Sequence, residues 1–285
     1  MKLTIAAQGG LCNRLRVLFG AIAVGRATQT KVRFVWHPDW QCEAYFDELF
    51  QTIESPWVQV VNGTFLDRLS SHKELYLPQV LRLPFYRKQI KLFHPERHGS
   101  LVQNLQKYKS LYINSGFQIA PFGTDEIKLL RPLPELQQRI ETIVRNFTDN
   151  MVGVHIRRSD NSWSTSVSTD EAFIQAMEKY PSARFYIATD DEQVKWTMRE
   201  HFKGRTLAEE TDGRRDNAFS IGDAVVDLFC LAHTKRIIGS YWSSFIDMAA
   251  EIGGIPCGGS AESSGYTVHA PSGRWTPRRS PDRKS

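Results

Sequence analysis

Two adjacent arginines, Arg157 and Arg158, follow the apolar run 151–156, and Asp160 stands two residues beyond them. A short, largely β-branched and apolar run reads as a buried strand, so whatever follows its last residue projects from the edge of a sheet. Open α/β sheets bind ligands at that edge. Two guanidiniums placed there repel each other and lose hydration. An anion such as a pyrophosphate would offset both costs by accepting bidentate hydrogen bonds. A second reading needs no ligand: Arg157 and Arg158 pair with Asp160 and other acids in a structural network.

Other groups fall at comparable places. Asp190 and Asp191 close a second apolar run at 184–188, and Ser243 and Ser244 open a helix just after a third at 236–239. Hydroxyls and free N–H groups at a helix start cradle a phosphate, helped by the positive end of the helix dipole. Acids at such an edge suit ribose hydroxyls or the N–H edge of a base. Asp227, in the helix that precedes the serine turn, is placed for the base. Each acid taken singly reads equally as a cap or a surface charge. Their joint placement on one edge of one sheet is what points to a nucleotide.

The elements that must position these residues alternate. A strand at 2–7, a turn at Gln8-Gly9-Gly10, a helix carrying Leu11, Leu15, Leu18, Phe19 and Ile22, and a strand at 32–36 form an opening βαβ unit. Gly9 and Gly10 let the backbone approach a ligand closely, and Asn13 and Arg14 can face the same crevice. The alternative is a tight turn and nothing more; the motif is not GxGxxG. From His37 onward prolines break the pattern, with strands expected only at 58–61 and 110–114. The rings there, among them Trp40, Tyr45, Phe46, Phe50, Trp57, Phe85, Tyr86 and Phe93, either line an acceptor groove or pack the domain. Glu43, Asp47 and Glu48 are candidates for a general base by position alone. Pro132 and Pro134 open a helix bearing Leu136, Ile140 and Ile143, and strands alternate with helices after it, the first of them begun by a capping box at 168–171. The expected organisation is an N-terminal α/β domain over 1–148, a Rossmann-like domain over 149–270 and a flexible tail over 271–285.

Composition narrows the function. Of 285 residues 41% are hydrophobic, ample for a packed core. The net charge of +5 owes much to Arg274, Arg278, Arg279, Arg283 and Lys284 in the tail, so the body is close to neutral and no nucleic-acid surface is expected. The tail reads as solvated or as an arm for peripheral membrane contact. No run is long enough to span a bilayer, and Arg14 and Arg16 interrupt what would otherwise resemble a signal peptide. Cys12, Cys42, Cys230 and Cys257 are too widely spaced for a metal motif and fit a reducing, cytoplasmic setting.

These motifs carry a resemblance. Val154-His155-Ile156-Arg157-Arg158-Ser159-Asp160, then Tyr186 to Asp191, Val226-Asp227-Leu228 and Gly239-Ser240-Tyr241-Trp242-Ser243-Ser244-Phe245 resemble the ordered motifs of the GDP-fucose-dependent α1,6-/protein O-fucosyltransferase superfamily, which includes rhizobial chitin-oligosaccharide members. Gly9-Gly10-Leu11-Cys12-Asn13-Arg14 resembles its N-terminal turn, with Cys12 at the usual glycine. The resemblance covers both halves and omits about 40–130. It implies a GT-B architecture, two Rossmann-like domains facing across a crevice, with the donor on the second. Arg157 would bind the β-phosphate and stabilise departing GDP, with Arg158 in support. Ser243, Ser244 and Phe245 would close round the phosphates, and His155 and Asp227 would contact guanine. Asn13 would lie near the reacting sugar, with Gly9 and Gly10 in the same crevice. Asp160, Asp190 and Asp191 complete the implied donor set. The implied reaction moves fucose from GDP-fucose to a glycan or other hydroxyl, with inversion and with no metal or cofactor, and the sequence has no strand-flanked DxD. Two alternatives stand beside it: a related transferase using another nucleotide sugar, and a non-catalytic nucleotide- or glycan-binding protein.

Overall fold

The computed structural model describes residues 1–63, 67, 88–92, 105, 109–158, 168–209, 218–240, 243–259 and 267–268. Asp160 and the expected tail lie outside them, as do Phe85, Tyr86 and Phe93.

Strand β1 (Lys2–Ala7) is buried at every position after its first, which a strand achieves only inside a sheet covered on both faces. It pairs in parallel with β2 (Val32–Trp36) on one side and β5 (Ser110–Ser115) on the other. With β3 (Val58–Asn62) and β4 (Lys88–Leu92) the sheet order is β3-β2-β1-β5-β4, parallel throughout. The second sheet runs β11-β10-β9-β6-β7-β8, from β6 (Val152–Ile156), β7 (Phe185–Thr189), β8 (Thr206–Leu207), β9 (Arg236–Gly239), β10 (Cys257–Gly259) and β11 (Thr267–Val268). Only β11 is antiparallel to its neighbour. The architecture is α/β with two doubly wound sheets.

The helices are α1 (Leu11–Thr28), the single turn α2 (Thr124–Ile127), α3 (Pro134–Val144), α4 (Asp170–Glu178), α5 (Glu192–His201), α6 (Ala218–Ala232) and α7 (Ser244–Gly253). Local chemistry sets their starts. Pro134 sits in the first turn of α3, where its missing N–H costs nothing. Thr169 caps α4 by accepting from Ala172 N, one residue later than the sequence pattern placed the cap.

Every residue of α1 from Leu11 to Gly25 is buried except Asn13, which is half-buried. A helix apolar on all faces must be covered on all faces. β1 and β2 lie on one side of α1 and α7 on another. One apolar cluster therefore runs from Leu3 and Ile5, through Leu15 and Phe19, to Val225 of α6 and Met248 of α7. Helix α3 lies against α6, and Arg139 of α3 reaches Glu209 at 2.9 Å and Asp223 at 2.7 Å. The segment before it is stitched to the first unit, with Leu133 N donating to Leu49 O at 3.0 Å and Gln51 N to Arg131 O at 2.9 Å. Helix α3 thus packs against α6 while the segment before it is bonded to the first unit. No helix among the described residues is long and apolar enough to cross a membrane.

Candidate functional site

In the second sheet β6 leads outward to β7 and β9 leads outward to β10, in opposite directions, so the order reverses between β6 and β9. The crevice outside the carboxyl ends of two such strands is where doubly wound sheets take ligands. His155, Arg157 and Arg158 stand at the end of β6, and Ser240, Ser243, Ser244 and Phe245 follow β9. The two ends are laced together: Ser240 N donates to His155 O at 3.0 Å, and Arg157 N donates to Ser240 Oγ at 3.0 Å. Above them the His155 ring stacks on Phe245, with centroids 4.5 Å apart and planes 11° from parallel. That contact fixes the first turn of α7 over β6.

Ser243 is buried and caps α7, its hydroxyl accepting from Phe245 N at 3.3 Å. Ser244 is the first helical residue and half-buried. The Arg157 side chain and Ser244 are both half-buried here, and the first turn of α7 carries backbone N–H groups that no helical carbonyl satisfies. Burial pushes the Cys12 thiol of α1 well above its ordinary range, and Arg16 and, more weakly, Arg157 act against that shift.

Arg158 is occupied differently. Its guanidinium donates to Ser168 O at 2.8 Å and Arg157 O at 3.2 Å, pairs with Asp170, and lies 5.9 Å over the Phe173 ring. Its backbone N–H donates to Asp190 at 2.9 Å. For Arg158 the structural-network reading therefore describes what is seen. Asp191 caps α5, accepting from Gln193 N at 2.8 Å and Val194 N at 3.2 Å. Both acids thus engage the backbone at the sheet edge.

Asp227 lies on α6 and accepts a hydrogen bond from the Tyr186 hydroxyl of β7 at 2.6 Å. Burial is the largest influence on both groups: it raises the carboxyl of Asp227 to about 7 and the Tyr186 phenol well above its usual value.

On the first sheet β1 lies between β2 and β5. Gly9 follows β1 with φ +90°, a conformation that favours glycine, and a Cβ there would stand 2.9 Å from Asn13 Nδ2. Gly10 begins α1 with ordinary extended φ and has its nearest Cβ neighbour, Gln41 O, at 3.7 Å. Asn13 therefore lies against the turn, half-buried. Arg14 does not face a crevice: it is fully buried, donating to Gly9 O at 2.7 Å and His37 O at 2.6 Å and pairing with Asp39 at 2.8 Å.

Sequence reasoning passed over Ser240, Tyr186 as a partner of Asp227, and Arg16. Arg16 Nη2 of α1 lies 3.5 Å from Asp247 of α7, with Glu251 one turn further on and raised to about 7 by burial. A charge interrupting an apolar helix needs a buried partner, which was a usable signal. The position of Asp247 was not.

Gly239 at the end of β9 tests this arrangement. An added Cβ would stand 2.3 Å from Ile246 Cγ2 and 2.8 Å from Cδ1, and Ile246 is buried. Helix α7 must lift from β9 to relieve that. Gly239→Ala is expected to lower stability by about 1–3 kcal/mol in urea unfolding, and an unchanged midpoint would show that α7 is not held so closely.

No family model and no curated protein matches the sequence. Solved structures do match. The fucosyltransferase NodZ from Bradyrhizobium is 15% identical, with 94% of this chain and 98% of that chain covered and a TM-score of 0.63. POFUT1 in its apo form is 13% identical over 90% of this chain and 97% of its own, at 0.55. The Arabidopsis thaliana protein FUT1, in complex with GDP, is 12% identical over 90% and 70%, at 0.59. The two-sheet GT-B fold is therefore shared with these fucosyltransferases.

Proposed function

We propose that this chain is a glycosyltransferase that moves fucose from GDP-fucose to a hydroxyl acceptor, with inversion and without a metal. The observation that carries the reading is the β6/β9 reversal, with Arg157 at the end of β6 bonded through its N–H to Ser240 after β9, in a fold shared with fucosyltransferases. NodZ has been solved after soaking with GDP-fucose and in co-crystals with GDP.

The chemistry follows from charge. Cleaving the sugar–phosphate bond builds positive charge on the sugar and adds negative charge to the diphosphate oxygens. A guanidinium already aimed at those oxygens, with a helix N-terminus beside it, binds the transition state more tightly than the ground state. Arg157 fills that role. Its backbone N–H is held by Ser240 and that of the next residue by Asp190, so the side chain starts from a fixed base. Arg158, pinned to Asp170 and Ser168, is a positioning residue in this reading. In this reading Asn13, beside the glycine turn of the first unit, faces the sugar.

Asp227 is assigned to the base. A guanine edge presents N–H donors and binds the carboxylate, not the carboxylic acid, so binding below the raised pKa must expel a proton. GDP affinity is therefore expected to rise with pH, about tenfold per unit below about 7, and to level off above it. Asp227→Asn should flatten the profile. Calorimetry across that range with GDP, UDP and ADP, in EDTA throughout, checks this. Equal affinity for the three nucleotides would remove the guanine assignment, and loss of GDP binding in EDTA would remove the metal-free one.

A further inference from the structure

The segment after β2 carries exposed side chains that the donor site does not use. From 41 to 47 burial alternates: Cys42, Ala44 and Phe46 point into the core, while Gln41, Glu43, Tyr45 and Asp47 are exposed. Trp40, at the tip of the turn at 39–42, is 81% exposed, and Tyr45 is 40% exposed. Of the described aromatic side chains in this region, Phe46 and Phe50 pack against Trp36 and serve the core. Trp40 and Tyr45 do not.

The Trp40 turn is held from several sides. Asp39 N donates to Cys42 O at 3.2 Å and Cys42 N to Asp39 O at 2.9 Å. The Asp39 carboxylate accepts from Gln41 N at 2.9 Å and pairs with Arg14. Arg14 also bonds Gly9 O, so one buried guanidinium joins the Trp40 turn to the glycine turn of the crevice. Further along, the Trp36 indole donates to Ala44 O at 2.9 Å, Asp47 accepts from Asn62 at the end of β3 at 3.2 Å, and Glu48 accepts from Tyr45 N at 2.6 Å. Of the strip's acids, Glu43 alone has no partner among the described residues. The strip thus runs along the carboxyl edge of the first sheet, from the glycine turn to the end of β3.

A tryptophan this exposed on so constrained a turn gives up apolar burial with no gain to the fold. Among the described residues the two exposed rings are separated by Gln41 and Glu43 and form no contiguous apolar patch for a protein partner. Aromatic faces alternating with hydrogen-bond acceptors match a carbohydrate, whose C–H faces stack on rings while its hydroxyls donate to carboxylates.

We propose that this strip is an oligosaccharide-binding subsite, in which Trp40 and Tyr45 stack on pyranose rings and Glu43 accepts from their hydroxyls. Calling it the acceptor subsite rests on the transferase reading above; sugar binding itself does not. The test is an array of oligosaccharides probed with the labelled, GDP-loaded protein and with Trp40→Ala, Trp40→Phe and Glu43→Gln. The wild type should be retained by a subset of glycans. Trp40→Ala should weaken that retention about tenfold, Trp40→Phe should restore most of it, and GDP affinity should be equal in all four. No retained glycan, or retention indifferent to Trp40→Ala, overturns the proposal. Glycan retention through Trp40 in a protein that does not bind GDP would keep this subsite and remove the donor assignment.

Discussion

Arg157→Ala is expected to lower kcat with GDP-fucose by roughly 10²–10³-fold or more, while circular dichroism and the unfolding midpoint stay unchanged. The backbone N–H of Arg157 donates to Ser240 Oγ, and truncation of the side chain leaves that bond in place. The side chain is half-buried, in partial shelter from water, where a charge acts more strongly than in bulk solvent. The effect should fall mainly on kcat, because the diphosphate gains its extra negative charge only as the bond breaks. Arg157→Lys should recover part of the loss, since a point charge replaces a planar fork. Activity retained in Arg157→Ala would take this residue out of the mechanism.

Arg14→Ala should produce the largest loss of stability, about 3–5 kcal/mol in urea unfolding. The side chain is fully buried and joins Gly9 O, His37 O and Asp39, with its guanidinium 5.4 Å over the Trp36 ring. Removing it leaves two carbonyls without their donor, takes the ion pair from Asp39 and opens a cavity beneath the glycine turn. Arg14→Met fills most of the volume and restores none of the hydrogen bonds. If polar satisfaction dominates, Met should recover little; a variant as stable as the wild type would show that packing decides.

Much of the second unit could be read from the chain. β6, β7 and β9 are short apolar runs whose following residues are polar, and α3 announces itself through Pro134. The same holds for β1, α1 and β2, and the strands expected at 58–61 and 110–114 appear as β3 and β5. β4 was not anticipated. Its residues Lys88, Gln89, Ile90, Lys91 and Leu92 follow a proline-broken stretch, and their strand character comes from pairing with β5, which is not local information.

The site was legible in its residues more than in their employment. Arg157 and Arg158 look identical as neighbours, yet successive residues of an extended chain point to opposite sides. Arg158 meets Asp170 and Phe173, and only the placement of α4 reveals that employment. Asp191 could be read as a cap, because an acid directly before a helix commonly is one. Ser240 could not be singled out, since its value lies in accepting a bond from a residue on another strand.

The burial of α1 on every face has a consequence for how the protein can be divided. By chain order α1 belongs to the first unit, yet Arg16 reaches Asp247 of α7 and the apolar cluster passes through it without a break. A cut at the linker would strip α7 of its cover and leave a bare apolar stripe on each fragment. The two sheets are thus separate yet share one apolar cluster through α1, and exchange of whole halves between relatives would have to carry both faces of that helix.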